Sequence, residues 1–446
     1  MGQTDLTRGS ILKSLVKYSI PLVLSSILQA MYGIVDTVVA GQFIGAEALS
    51  GLTNANSVLT MATQIIFGLC NGGSMLIGQY FGSKDPKNTR EASVTLFTGA
   101  LIAGVFAAAL LYFTSRPFLT LLGAPAIEQA DTYLRVCAVG FFFVAGYNAC
   151  AAALRAVGNS RVPLICVAAT AFTNVALDIL FVVGLRMGVF GAALATAVSQ
   201  GISFAVATVC LLRDRETFGI SLTKLRLHSD KLRQELKLGI PCAVQMSVAA
   251  FSWLSVTYFI NSYGVAVSAG NGVSYRIKEF CQLIISTMST AAASMVAQNL
   301  GARQYDRART TMYTAMKLTV GVAVVIIAAV EILAPTLVGL FTPDAATAAA
   351  AVRNLRFEII GQVFYASFLI YHSLMMGSGD TWYAFWSSFI NCILMRVSLS
   401  ALLNHFWGLD GVYIACMVAP FSSVPFGLWY ERSNRWRKTL VRGQEN

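Results

Sequence analysis

Asp36 lies in Tyr32-Gly-Ile-Val-Asp36-Thr37, and Asp178 lies in Thr173-Asn174-Val-Ala-Leu-Asp178; both stretches sit inside long apolar runs. An aspartate at the centre of a membrane helix costs about 2.5–3.5 kcal/mol on insertion scales, so its presence needs a reason. Asn174 and Asp178 are four residues apart and share one face of a helix, one turn from each other. Two acids on different helices, joined by amide and hydroxyl oxygens, make an all-oxygen site. That chemistry suits a hard cation, or a proton shared between the carboxylates. The plainer alternative is that each Asp caps a kink or bonds a neighbouring helix. Two acids plus an amide are a costly way to fix packing.

Weaker signals lie in the second half. Gln245, Arg276, Lys278 and Gln282 are candidates to line a cleft, while Arg276, Lys278 and Glu279 equally suit pairing with one another. Glu331 and Arg396 fit lipid-edge or interhelical positions, and His372 has no evident metal partner. The nine cysteines form no Cys-x-x-Cys pair and fall within apolar stretches. They read as small buried hydrophobes, neither a disulfide framework nor a metal site. No Gly-x-x-x-x-Gly-Lys-[Ser/Thr] loop, His-Glu-x-x-His or Gly-x-Ser-x-Gly motif occurs. The expectation is a protein with no catalytic residues, no cofactor and no direct drive by ATP.

The elements that must position these residues follow from composition. Of 446 residues, 56% are apolar and 12% charged. A soluble globular chain carries about 25% charged residues. This excludes a cytosolic enzyme and a disordered chain, and it predicts a polytopic membrane protein. Twelve apolar runs are long enough to span, near 15–40, 54–79, 95–114, 134–155, 162–184, 190–212, 239–261, 270–298, 315–338, 355–376, 384–403 and 411–430. The first run is too long for a cleavable leader and leads into polar residues.

Basic residues orient the spans. The N-terminal segment, the C-terminal segment and the loops after even-numbered spans hold 23 Lys and Arg; the opposite loops hold Arg116, Arg186 and Arg353. Both termini are expected in the cytoplasm. The net charge of +11 is then topological, and nucleic acid is not an expected partner.

The chain repeats itself. Lys17-Tyr-Ser-Ile-Pro21 returns as Lys237-Leu-Gly-Ile-Pro241, Gly78-Gln-Tyr-Phe-Gly82 as Ala297-Gln-Asn-Leu-Gly301, and Gly188-Val-Phe-Gly191 as Gly408-Leu-Asp-Gly411. The expected organisation is a six-helix bundle over 1–212, a cytoplasmic linker over 213–238, a second six-helix bundle over 239–430 and a cytoplasmic tail over 431–446. Repeats of six spans have the same topology, so the two bundles of this all-α membrane protein are expected to be related by a pseudo-two-fold axis along the membrane normal. The acids do not repeat: Val256 aligns near Asp36 and Met395 near Asp178, while Asn391 matches Asn174.

Twelve spans as two sixes, Ile20-Pro21 opening the first, Tyr32 to Asp36 within it, Gly78-Gln79 before a basic loop, and Asn174 to Asp178 in the fifth together resemble the multidrug and toxic compound extrusion family. The resemblance implies export of organic cations or amphipathic drugs in exchange for Na+ or H+. Carried over by position, it implies cation ligation by Asp36, Asn174, Asp178 and Thr196. Asp36, Asn174 and Asp178 would be the metal ligands if the ion is Na+. Gln29 and Tyr32 would belong to the surrounding polar network and Pro21 would be a bending point of the first helix. It also implies a multi-pass protein of the cell (inner) membrane, embedded in the lipid bilayer and working as a monomer. Lipid-linked oligosaccharide or peptidoglycan-precursor flippases share the wider superfamily; Arg276, Lys278 and Arg396 would suit their pyrophosphate. A pore or receptor subunit is the alternative of another class.

Overall fold

The computed structural model describes residues 4–121, 126–437 and 439–440, and for residues 46–50 the backbone alone. Lys438 and Arg442 of the basic C-terminal segment lie outside the described residues. Every regular element described is helical, and the long helices in chain order are α1 (Ile11–Phe43), α2 (Ala46–Gly82), α3 (Pro86–Leu121), α4 (Ile127–Ala156), α5 (Arg161–Asp178) and α6 (Gly188–Arg213). A single turn, α7 (Arg215–Phe218), precedes α8 (Ser229–Asn261), α9 (Val265–Gly301), α10 (Tyr305–Gly339), α11 (Ala345–Ile360) and α12 (Gln362–Gly377). The chain ends with α13 (Thr381–Phe389), α14 (Ser398–Val418) and α15 (Ser423–Arg432).

Twelve spans emerge once two breaks are read physically. Ten helical stretches are long and apolar enough to cross a bilayer, and α11 with α12, bent by 43° at Gly361, makes an eleventh. The last stretch, Thr381–Arg432, runs for 52 residues. At 1.5 Å per residue that is about 78 Å, well over twice a hydrocarbon core of about 30 Å. Gly408 interrupts it with φ 58° and ψ −139°, values that only glycine adopts without strain. The stretch is therefore two spans, which completes twelve.

The repeat is written into the backbone. Left-handed or other positive φ values fall at Gly45 and Gly264, Lys84 and Arg303, Gly158 and Gly379, and Gly188 and Gly408. Each pair is separated by about 220 residues and each ends or begins a helix, so both halves turn their corners alike. Each half also carries a π-helical turn, Ile179–Gly184 after α5 and Ile390–Val397 after α13.

Two compact units form: Ile20–Ala243, and Leu6–Ser19 with the chain from Val244 onward. Pro21 and Pro241 lie within two residues of the points where α1 and α8 pass from one unit to the other. In the first unit α4 packs against α2, α3 and α6. Tyr133, Leu134 and Cys137 of α4 join Leu52, Ala55, Val182 and Ala192 in an apolar cluster. Small residues allow that closeness. A Cβ on Gly140 would stand 3.0 Å from Ala197 Cα, so glycine sets the α4–α6 distance. The segment between α6 and α8 is packed: Phe218 and Ile220 are buried, and Arg90 Nε donates to the Glu216 carbonyl at 2.7 Å. In the second unit α9 packs against α10, α11 and α12.

Candidate functional site

Five helices of the first unit contribute to one polar locus. α1 presents Tyr32 and Asp36, four residues apart and so on one face. α5 presents Asn174 and Asp178 by the same spacing, and Asp178 is the last residue before the π-helical turn. Such a turn widens the helix locally and frees backbone groups, a distortion found often at functional sites. α6 presents Thr196 and Gln200, again one turn apart. α4 adds Tyr133 and Cys137, and α2 adds Asn56.

The two carboxylates meet. Asp36 and Asp178 face each other within hydrogen-bonding reach, a contact that needs a proton or a cation between them. Asp36 is 9% exposed and Asp178 fully buried. Asp36 Oδ1 and both carboxylate oxygens of Asp178 find no protein donor among the described residues. Asn174 is also fully buried, and neither atom of its amide has a protein partner there. Four buried acceptor oxygens therefore lack a protein donor among the described residues, and leaving them unsatisfied is unfavourable.

Around the acids the polar groups are linked. Gln200 hydrogen-bonds Tyr32. Thr196 contacts the Tyr133 hydroxyl, which also donates to Asn56 Oδ1 at 3.3 Å. Thr196 Oγ1 donates to the Ala192 carbonyl at 3.1 Å, so its oxygen can still accept. Two carboxylates with amide and hydroxyl oxygens form a hard-donor set, suited to Na+ or a proton and unsuited to a soft metal. Among the described residues no group of three or more His, Cys, Asp or Glu could hold a metal ion.

The structure brings together Tyr32, Asp36, Asn174, Asp178 and Thr196. Gln29 is exposed and makes no hydrogen bond with a described residue. Pro21 sits inside a continuous α1, its carbonyl accepting from Ser25 Oγ at 2.8 Å. In the second unit Arg276 is exposed beside Glu279, whereas Lys278 is buried and ion-paired with Glu358. Gln245 and Gln282 are half-buried. Glu331 pairs with Arg356 at 3.6 Å, and His372 stacks on Phe368. Sequence reading missed Tyr133, Cys137, Asn56 and Gln200. Only Gln200 had a signal, its spacing of four from Thr196.

Comparison with known proteins matches this architecture. The MatE family model matches residues 21–180 and 241–402, one segment in each half of the repeat. The chain is 29% identical over 439 residues to the probable multidrug resistance protein YpnP of Bacillus subtilis, covering 97% of both. It is 25% identical over 422 residues to the multidrug export protein MepA of Staphylococcus saprophyticus, covering 92% of this chain and 91% of that protein. A crystal structure of MATE in the straight conformation shares the fold, with TM-score 0.92 at 22% identity over 97% of this chain and 98% of that one. The matched segments hold Asp36, Asn174 and Asp178 and the repeated prolines, and on that match the chain belongs to the MatE family, the multidrug and toxic compound extrusion transporters.

Proposed function

We propose that the chain is a secondary antiporter that exports lipophilic organic cations or amphipathic drugs in exchange for Na+ or H+. The single observation that carries this reading is the contact between Asp36 and Asp178 beside the unpartnered amide of Asn174. Cation binding or protonation there removes negative charge from the first unit. A drug cation is stabilised by the same charge, so the two ligands oppose each other. Linkage makes that opposition reciprocal: the coupling ion weakens the drug by the factor that the drug weakens the ion. Alternating access then exchanges one for the other across the membrane. Asp36, Asn174, Asp178 and Thr196 ligate the ion in this reading, Tyr32 orders the acids, and Pro21 lets α1 bend. The protein works as a monomer in the cell (inner) membrane, with both termini in the cytoplasm.

The names of the curated relatives, multidrug resistance and export proteins, agree with drugs as substrates. A flippase for lipid pyrophosphate is supported less well. Of the three cations on which that alternative rests, Lys278 is neutralised by Glu358 and Arg276 is paired with Glu279, leaving Arg396.

The test is efflux of ethidium from cells expressing the wild type, Asp36→Asn or Asp178→Asn at matched levels, with Na+ and pH gradients imposed separately. The expected outcome is gradient-dependent efflux by the wild type and its loss in both variants; the effective gradient identifies the ion. Unchanged efflux in the variants removes the site assignment. Absence of efflux of any cation by the wild type favours the lipid substrate.

A further inference from the structure

Two cations share one indole in the second unit. Lys278 Nζ lies 3.8 Å from the ring centroid of Trp253. The guanidinium carbon of Arg396 lies 4.6 Å from that ring. Lys278 and Glu358 are 3% and 5% exposed and form an ion pair. Arg396 is as buried as they are, at 5% exposed, but it has no acid of its own. Its Nε is sealed without an acceptor, and its guanidinium makes no hydrogen bond or ion pair with any described residue. Two cations and one carboxylate leave one positive charge in an apolar interior. One indole shared between two cations offsets only part of the lost hydration.

A purely structural role does not account for this arginine. It lies in the π-helical turn Ile390–Val397, where the wide turn frees backbone carbonyls. The carbonyl of Cys392, one turn before Arg396, accepts from Ser252 Oγ at 2.7 Å. The guanidinium makes no hydrogen bond to the backbone of any described residue. One aromatic wall, Trp253, stands against it, and Tyr275 packs edge-on to that ring with centroids 5.6 Å apart.

We propose that Arg396, with Trp253 and Tyr275, forms a binding site for the carboxylate of an aromatic monoanion or zwitterion. The planar fork of a guanidinium matches a carboxylate with two parallel hydrogen bonds. One net positive charge matches one carboxylate and is insufficient for a pyrophosphate. Trp253 and Tyr275 accept the ring that carries the acid. The inference goes beyond the antiport reading, which needs only the acids of the first unit: it assigns a carboxylate-binding site to the second unit.

The test uses the purified full-length protein in detergent and follows thermal unfolding by intrinsic fluorescence. Sodium benzoate is compared with benzamide, its neutral counterpart, with sodium and ionic strength held constant. A ligand that binds only the native protein raises the unfolding temperature in proportion to the logarithm of its excess over Kd. The expected result is a saturable rise with benzoate and none with benzamide. Arg396→Gln weakens benzoate by at least tenfold, and Arg396→Lys, which keeps the charge and loses the fork, weakens it less. No saturable rise in the wild type, an equal rise with benzamide, or an undiminished benzoate response in Arg396→Gln overturns the proposal. Were Arg396→Gln to fold poorly, the same comparison on Arg396→Lys and on Trp253→Leu decides it: an undiminished response in both overturns it, and a loss in either supports it.

Discussion

Buried charge in this protein takes two forms that differ in what satisfies it. In the first unit Asp36 and Asp178 confront each other, and no basic group among the described residues acts on either. In the second, Lys278 and Glu358 neutralise each other at 3% and 5% exposure. A pair of the second kind makes a definite prediction. Glu358→Gln leaves the Lys278 ammonium buried with no counter-charge, which should destabilise the protein by about 3–5 kcal/mol. Replacing both partners, Lys278→Met with Glu358→Leu, should recover most of that loss, because the desolvation of both ions disappears together. Thermal unfolding of the three proteins in one detergent measures it. Equal unfolding temperatures for Glu358→Gln and the wild type would show that the ion pair contributes nothing. Residues of this kind differ in how far the sequence reveals them. Asp36, Asn174 and Asp178 stand out because charge and amide are expensive in apolar runs. Tyr133 and Cys137 do not stand out, since tyrosine and cysteine are ordinary occupants of a packed helix. Their part in the locus depends on α4 lying against α6, which no local pattern in α4 encodes.

At the scale of elements, hydropathy located every span but truncated most. The apolar run 95–114 belongs to α3, which runs over Pro86–Leu121, and the run 134–155 belongs to α4, Ile127–Ala156. Apolar content reports only the part of a helix that meets lipid or core. The polar turns continue the same hydrogen-bond ladder beyond it. Breaks were hardest to read: the bend at Gly361 and the break at Gly408 depend on backbone angles, and the π-helical turn after Asp178 has no sequence signature at all. Packing distances were equally hidden, although they govern the site. Gly140 of α4 meets Ala197 of α6, the residue next to Thr196 and three before Gln200. A side chain there must push α6 outward. We expect Gly140→Val to cost about 1–3 kcal/mol through overpacking and to separate Thr196 from Tyr133. The measurable consequence is a lower unfolding temperature together with a weaker response of efflux to the coupling ion. Gly33→Ala is the control, because a Cβ there meets nothing within 4 Å. If Gly140→Val keeps the wild-type ion response, α6 does not set the geometry of the locus.

For the whole molecule, the same arithmetic of charge that excluded a soluble protein also assigns a direction to it. On the expected topology, 23 basic residues fall on one face of the bilayer and three on the other. Each Lys or Arg resists translocation when it sits in a short loop, so a bias this large should fix the orientation rather than merely favour it. The repeat reinforces it, since each half turns its corners with positive φ at matching positions, and an even number of spans per half returns the chain to the same side. A single helix can test the assignment. Lys87 lies at the first turn of α3 and Arg116 near its last, and both side chains are exposed. They are separated by about 44 Å along the helix axis at 1.5 Å per residue, more than the hydrocarbon thickness of about 30 Å. The endogenous thiols interfere little, because eight of the nine are buried and Cys210 alone is intermediate. In a Cys210→Ser background, a membrane-impermeant maleimide applied to intact cells should label Arg116→Cys. It should reach Lys87→Cys only after the membrane is permeabilised. The reverse pattern would invert the molecule and overturn the assignment made from its basic residues, whereas the direction of exchange, which the ion gradient sets, would stay the same.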